Sequence, residues 1–158
     1  MKPKVTNKKR SEYWSANGAL NWEIRKGLTF RTSGTVQYNV NKYNTYTIAW
    51  YDGAESSASV SKNESYTYMW DNTLNYVNTW KKHSLVGLAG FYIEKYESDG
   101  LGASGSGFPD DQVLTNLNSA AKKNSISSSY SSNTLASFLS RLEYKFNNRY
   151  LLTLNFRA

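Results

Sequence analysis

From Tyr66 to Trp80 the chain alternates with a period of two. Tyr66, Tyr68, Trp70, Leu74, Tyr76 and Trp80 fall on even positions, with Asn72 and Asn78 between them. Thr67, Met69, Asp71, Thr73, Asn75, Val77 and Thr79 fall on odd positions. Successive side chains of a strand point to opposite faces, so this stretch predicts a strand with one aromatic face and one mostly polar face. The aromatics gather towards both ends of the greasy face. A strand tilted by about 40° climbs roughly 2.5 Å per residue, which puts Trp70 and Trp80 roughly 25 Å apart along the tilt axis. That matches the height of a lipid-facing band bounded by aromatic girdles.

The same unit recurs. Leu20, Trp22 and Ile24 alternate with polar residues, Lys26-Gly27 follows, and alternation resumes from Leu28 through Val40. A short turn with glycine is what a tight hairpin requires. Centred on Gly27, the hairpin would set Glu23 across from Arg31. The second hairpin joins the Tyr66–Trp80 strand, through the turn Lys81-Lys82-His83-Ser84, to Leu85–Tyr96. An even-length turn there keeps Trp80 and Leu85 on one face. The third starts near Leu135, turns at Asn147-Asn148 and runs Tyr150, Leu152, Leu154, Phe156 against Leu151, Thr153, Asn155, Arg157. The alternation is still running at Ala158, so the sequence reads as truncated.

Between these hairpins the expectation is loop. Residues 1–12 read as a basic tail, and residues 41–64 and 97–133 as long loops. Asp110–Ala121 is expected to form a short helix capped by Asp110, and the Ser-rich tract 125–133 to be mobile. Short turns then lie at one end and long loops at the other. Trp22, Trp80, Tyr144, Phe146 and Tyr150 fall near the short turns, and Trp70 near the far side of the band.

The pattern predicts an all-β fold of antiparallel up-and-down hairpins: about six strands of a large transmembrane β-barrel with long extracellular loops. Aromatic content of 15% and only two prolines agree with β-structure. The segment MKPKVTNKKRSEYW is basic with no apolar stretch after it, so it does not read as a signal peptide. No apolar run is long enough for a membrane helix.

Several chemistries are weighed and set aside. The net charge of +7 raises nucleic-acid binding, but Arg and Lys lie opposite the aromatics instead of among them. Gly100–Gly105 spells G-x-G-x-x-G, yet Pro109 intervenes before any helix and no carboxylate stands in 120–126. His83 is the only histidine, and no cysteine is present. A catalytic triad or a metal site has nothing to build on. Asp110-Asp111 reads as a helix cap. No enzyme activity, cofactor or metal is expected. The charges Glu23, Arg25, Arg31, Asp71, Arg141, Glu143 and Lys145 read as a hydrated inner ladder. Tyr43, Tyr46, Trp50, Tyr51 and Tyr130 are the loop candidates for ligand contact. The rival reading is a soluble β-sandwich that binds glycans and buries the aromatic face on a second sheet.

The pieces LNWEIRKGLTFRTSG, WDNTLNYVNTWKKHSLVGLAGF, ASGSGFPDD and LASFLSRLEYKFNNRYLLTLNFRA, in that order and spacing, resemble the barrel of SusC/RagA-type TonB-dependent outer-membrane transporters. The resemblance covers roughly residues 18–158. It implies a location in the bacterial outer membrane and a barrel of about twenty-two strands around an N-terminal plug. It further implies a SusD-like lipoprotein lid and uptake of glycans or peptides energised through TonB. Plug, TonB box and signal peptide are not in this stretch.

Overall fold

The structure, a computed structural model, describes residues 5–51, 53–109 and 116–158. It is an antiparallel sheet of six strands: β1 (Val5–Arg25), β2 (Leu28–Thr47), β3 (Ser57–Trp80), β4 (His83–Ser106), β5 (Lys122–Phe146) and β6 (Tyr150–Arg157). The order in the sheet is the order in the chain, β1-β2-β3-β4-β5-β6. This is the expected up-and-down arrangement. A single sheet does not form the two-sheet sandwich that was the rival reading.

The first turn is as its sequence suggested, the second is tighter and the third is one residue longer. Lys26-Gly27 closes the first hairpin, with Gly27 at φ 80°, where a side chain would be strained. Lys81-Lys82 alone closes the second, with Lys81 at φ 51°, so His83 begins β4 instead of completing a four-residue turn. Two is still an even count. Trp80 stacks on His83 and Thr79 Oγ1 donates to Ser84 Oγ at 3.4 Å, so the faces match as expected. Asn147-Asn148-Arg149 closes the third, with both asparagines left-handed, a conformation that asparagine tolerates. Phe146 then pairs with Tyr150 and Leu142 with Leu154, keeping even positions on one face.

The strands are far longer than expected. β3 and β4 have 24 residues each and β5 has 25. Residues 5–12, read as tail, belong to β1. Among the described residues, only 48–51 and 53–56 of the expected loop 41–64 lie outside strands, and only 107–109 and 116–121 of 97–133 do. The Ser-rich tract 125–133 is strand. The ladder explains this: antiparallel pairing satisfies the backbone whatever the side chains are, so polar stretches extend the hairpins once the register is set. The expected helix reduces, among the described residues, to a 3-10 turn at Leu117–Ser119 capped by the Asn116 side chain. Asp110 and Asp111 lie outside the described residues.

By packing the sheet comprises two units. The first takes Met1–Trp14, Tyr38–Tyr66 and Glu97–Ser132; the second takes Ser15–Gln37, Thr67–Tyr96 and Asn133–Ala158. Tyr46, Ala58 and Ala120 are the buried hydrophobic residues among those described, and all belong to the first. No large side chain among the described residues is fully buried. A lone sheet has no second layer to build a core against.

Candidate functional site

In the first unit the two connections outside the strands meet. Gly107 N–H donates to Ser56 O at 3.0 Å, and Ala121 N–H donates to Gly107 O at 3.0 Å. Gly107 takes φ 72°, and a Cβ on Gly105 would come within 2.8 Å of Ala120 Cβ, so both positions need glycine. Lys122 forms an ion pair with Glu55, and Ser106 Oγ donates to the same carboxylate at 3.2 Å. The Lys122 hydrogen bond, then that from Ser106, holds the Glu55 carboxyl below its ordinary value. Tyr46 packs edge-on against Phe108 with centroids 5.1 Å apart.

This clasp presents two rings. Trp50 and Tyr51 meet edge to face at 5.0 Å and are 50% and 60% exposed. A turn holds them, with Ala54 N–H donating to Tyr51 O at 3.0 Å. The other loop candidates have different surroundings. Tyr46 is buried at 8% exposure, which removes it as a contact for an external ligand. Tyr43 and Tyr130 sit in strands β2 and β5, not in loops. Lys9 Nζ lies 5.3 Å from the Tyr43 ring centroid, and Tyr130 donates to Glu97 Oε1 at 3.4 Å.

In the second unit the aromatics expected near the short turns form a connected row. His83 stacks on Trp80 at 5.5 Å, and its Nδ1 shares a 2.6 Å hydrogen bond with the Tyr144 hydroxyl. Phe146 lies 5.0 Å from His83, and Tyr150 lies 6.4 Å from Phe146. Sequence reasoning missed His83 as a member of this row. Two-residue turn parity would have found it, since such a turn sets position 83 opposite position 80. Trp22 is exposed on β1. Trp70 is 55% exposed and donates through Nε1 to Thr32 Oγ1 at 2.8 Å. On β3 the even positions Tyr66, Tyr68, Trp70, Leu74 and Trp80 are exposed. Of the odd positions from 67 to 77, only Val77 is.

Other sequence features acquire plain roles. Gly100–Gly105 lies within β4, so it is neither a phosphate-binding turn nor the flexible loop expected in its place. Arg141 pairs with Glu143 two residues along the same face of β5. The expected Glu23–Arg31 pair is not among the ion pairs of the described residues; Arg25 lies instead 6.0 Å from the Tyr76 ring centroid. Among the described residues no group of three or more His, Cys, Asp or Glu could hold a metal ion.

Long up-and-down strands with tight turns and one uncovered aromatic face define the wall of a large antiparallel barrel. The comparisons with known proteins agree. No family model matches the chain. TonB-dependent receptor P39 of Formosa agariphila is 26% identical over 140 residues, covering 85% of this chain and 14% of that protein. TonB-dependent receptor P3 of the same organism is 23% identical over 155 residues, covering 96% of this chain and 16% of that protein. The RagAB peptide importer, in its closed-closed state, superposes with a TM-score of 0.89 at 22% identity, over 97% of this chain and 18% of that one. Its open-open state gives the same TM-score. In sequence this chain is similar to a segment of TonB-dependent receptors, and in fold it matches a segment of the RagAB importer. It spans less than a fifth of the length of these relatives.

Proposed function

We propose that this segment forms part of the wall of an outer-membrane transporter, with the even face of β3 against lipid and the odd face towards the barrel interior. The observation that carries the reading is that exposed face, on which Trp70 and Trp80 would stand near the two edges of a band roughly 25 Å high. Trp22, Trp80, Tyr144, Phe146 and Tyr150 would form the girdle at the short-turn interface, and Trp70 part of the other. About ten residues suffice for a tilted strand to cross the bilayer. Strands of 24 residues are longer than such a crossing needs.

The whole receptor, on this reading, imports a glycan or a peptide under energy relayed by TonB, with a SusD-like lipoprotein over its mouth. The solved neighbour described as a peptide importer supports transport as the class. The clasped Trp50–Tyr51 pair is the part of this segment best placed to touch substrate or lid: two rigid rings held on a hydrogen-bonded turn.

Nitroxide labels placed one at a time at positions 70 to 80 of β3 in the bilayer-reconstituted receptor test the reading. This segment has no native cysteine. Oxygen accessibility, which is highest in lipid, should peak at Trp70→Cys, Leu74→Cys and Trp80→Cys and fall at Asp71→Cys, Thr73→Cys and Asn75→Cys. Uniform water accessibility across the series would end the barrel-wall assignment.

A further inference from the structure

Each of the three short turns carries a cation, and none carries an acid. Lys26 stands in the first, Lys81 and Lys82 in the second, Arg149 in the third. All four are exposed, and among the described residues no ion pair involves any of them. Two cations elsewhere are neutralised: Glu55 pairs with Lys122, and Glu64 with Lys62.

The turn cations are also held in a row. Asn147 N–H donates to Lys82 O at 2.6 Å, joining the second and third turns, and Val77 N–H donates to Gly27 O at 2.7 Å, joining the first turn to β3. Next to the row, along the strands, lie the exposed rings of Trp22, Trp80 and Tyr150. An aromatic belt followed at once by unpaired ammonium and guanidinium groups has the layering of a lipid interface: rings at the carbonyl level, cations at the phosphates.

We propose that this rim binds the headgroups of anionic phospholipids in the leaflet that the short turns enter. The inference rests on the barrel reading and adds a lipid preference to it. A zwitterionic headgroup balances its phosphate with its own ammonium. A phosphatidylglycerol headgroup leaves its phosphate for Lys26, Lys81, Lys82 and Arg149. Each exposed cation should favour the anionic lipid about fivefold, an effect that salt weakens.

The test uses the full-length receptor that carries this segment, reconstituted with phosphatidylcholine alone or mixed with phosphatidylglycerol. Lipids retained after extraction are then counted by native mass spectrometry. The unaltered receptor should retain phosphatidylglycerol selectively. Combining Lys26→Gln, Lys81→Gln, Lys82→Gln and Arg149→Gln should reduce that selectivity by roughly six hundredfold, the product of four factors of about five. Neutralising Lys122 and Lys123 should leave it unchanged. Equal retention of both lipids by the unaltered receptor overturns the proposal. So does selectivity that survives the fourfold change, or an acidic peptide or inorganic phosphate that competes the lipid away at equal concentration. The label series on β3 separates the two readings. Insertion without lipid preference sinks this inference alone, and failure to insert sinks both.

Discussion

In the unit built from Met1–Trp14, Tyr38–Tyr66 and Glu97–Ser132, Tyr46, Ala58 and Ala120 find cover. Two connections there are stitched together by backbone hydrogen bonds and by the Glu55–Lys122 pair. In the unit built from Ser15–Gln37, Thr67–Tyr96 and Asn133–Ala158, Trp70, Leu74, Val77 and Trp80 of β3 are exposed, and no hydrophobic residue among those described is buried. Both use the same antiparallel ladder. The difference is in what holds each together. The first adds the stitched connections to its ladder, although Trp14, Trp50, Tyr51, Ile126 and Tyr130 stay exposed on it. The second closes with tight turns, and on the reading proposed above its exposed face is completed by lipid.

The sharpest way to break this contrast is to withhold the lipid. The isolated chain, with two open edges and the exposed aromatic face of β3, should aggregate in detergent-free buffer and stay dispersed only in detergent. A monodisperse, folded peak in plain buffer on size exclusion would remove the contrast altogether.

Next in size is a charge placed on equivalent exposed strand positions of the two units. Leu74→Lys should cost about 2–4 kcal/mol in refolding into bilayers, the expected penalty for a cation near the midplane. Ser128→Lys, on β5 of the first unit, should stay within about 0.5 kcal/mol. Equal penalties from urea titrations of the two variants would mean that they face the same medium.

A smaller effect compares two glycines that both have positive φ. Gly27, at φ 80°, would bring a Cβ within 2.2 Å of Val77 O, whereas Gly53, at φ 85°, faces open space. Gly53→Ala should cost about 1–2 kcal/mol from the left-handed backbone alone. Gly27→Ala should cost visibly more, because its β3 neighbour must also move. Thermal unfolding of the two variants ranks them, and the reverse order would refute the close packing of the first turn.

The smallest effect is the pH response of the clasp. Glu55 has its carboxyl lowered from 4.5 in the folded chain, through Lys122 first and Ser106 second. The stabilisation is therefore fully present above that ordinary value and is lost as pH falls through the lowered one. Amide exchange at Gly107 and Ala121, corrected for intrinsic rates, should quicken on acidification. Glu55→Gln should abolish the change, with the exposed turns of the second unit as the reference.

How much of this was legible in the sequence follows from what alternation can report. Tyr66–Trp80 and Leu142–Phe156 announced their faces because one face is apolar and the other polar, and the turns Lys26-Gly27 and Asn147-Asn148 marked where the chain reverses. Residues 57–64 and 122–133 have serine, asparagine and lysine on both faces, so they looked like loop. Their hydrogen bonds come from partners set by register elsewhere in the strand. A faint signal was present: Ile126 and Tyr130 keep the even parity of Phe138, and Val60 that of Tyr66. The clasp was illegible for another reason. Glu55 and Lys122 are 67 residues apart, and only the sheet order brings them together.

The third turn sets the reading frame of everything after it. Phe146 pairs with Tyr150 because three residues stand between them. A slip of one residue in that pairing would be a frameshift in space. The ladder could re-form residue for residue, but β6 would turn over. Leu151, Thr153, Asn155 and Arg157 would then share the face of Phe138 and Leu142, while Leu152, Leu154 and Phe156 moved to the other side. In such a sheet a turn is punctuation, and the orientation of whole strands depends on which residues it sets opposite each other.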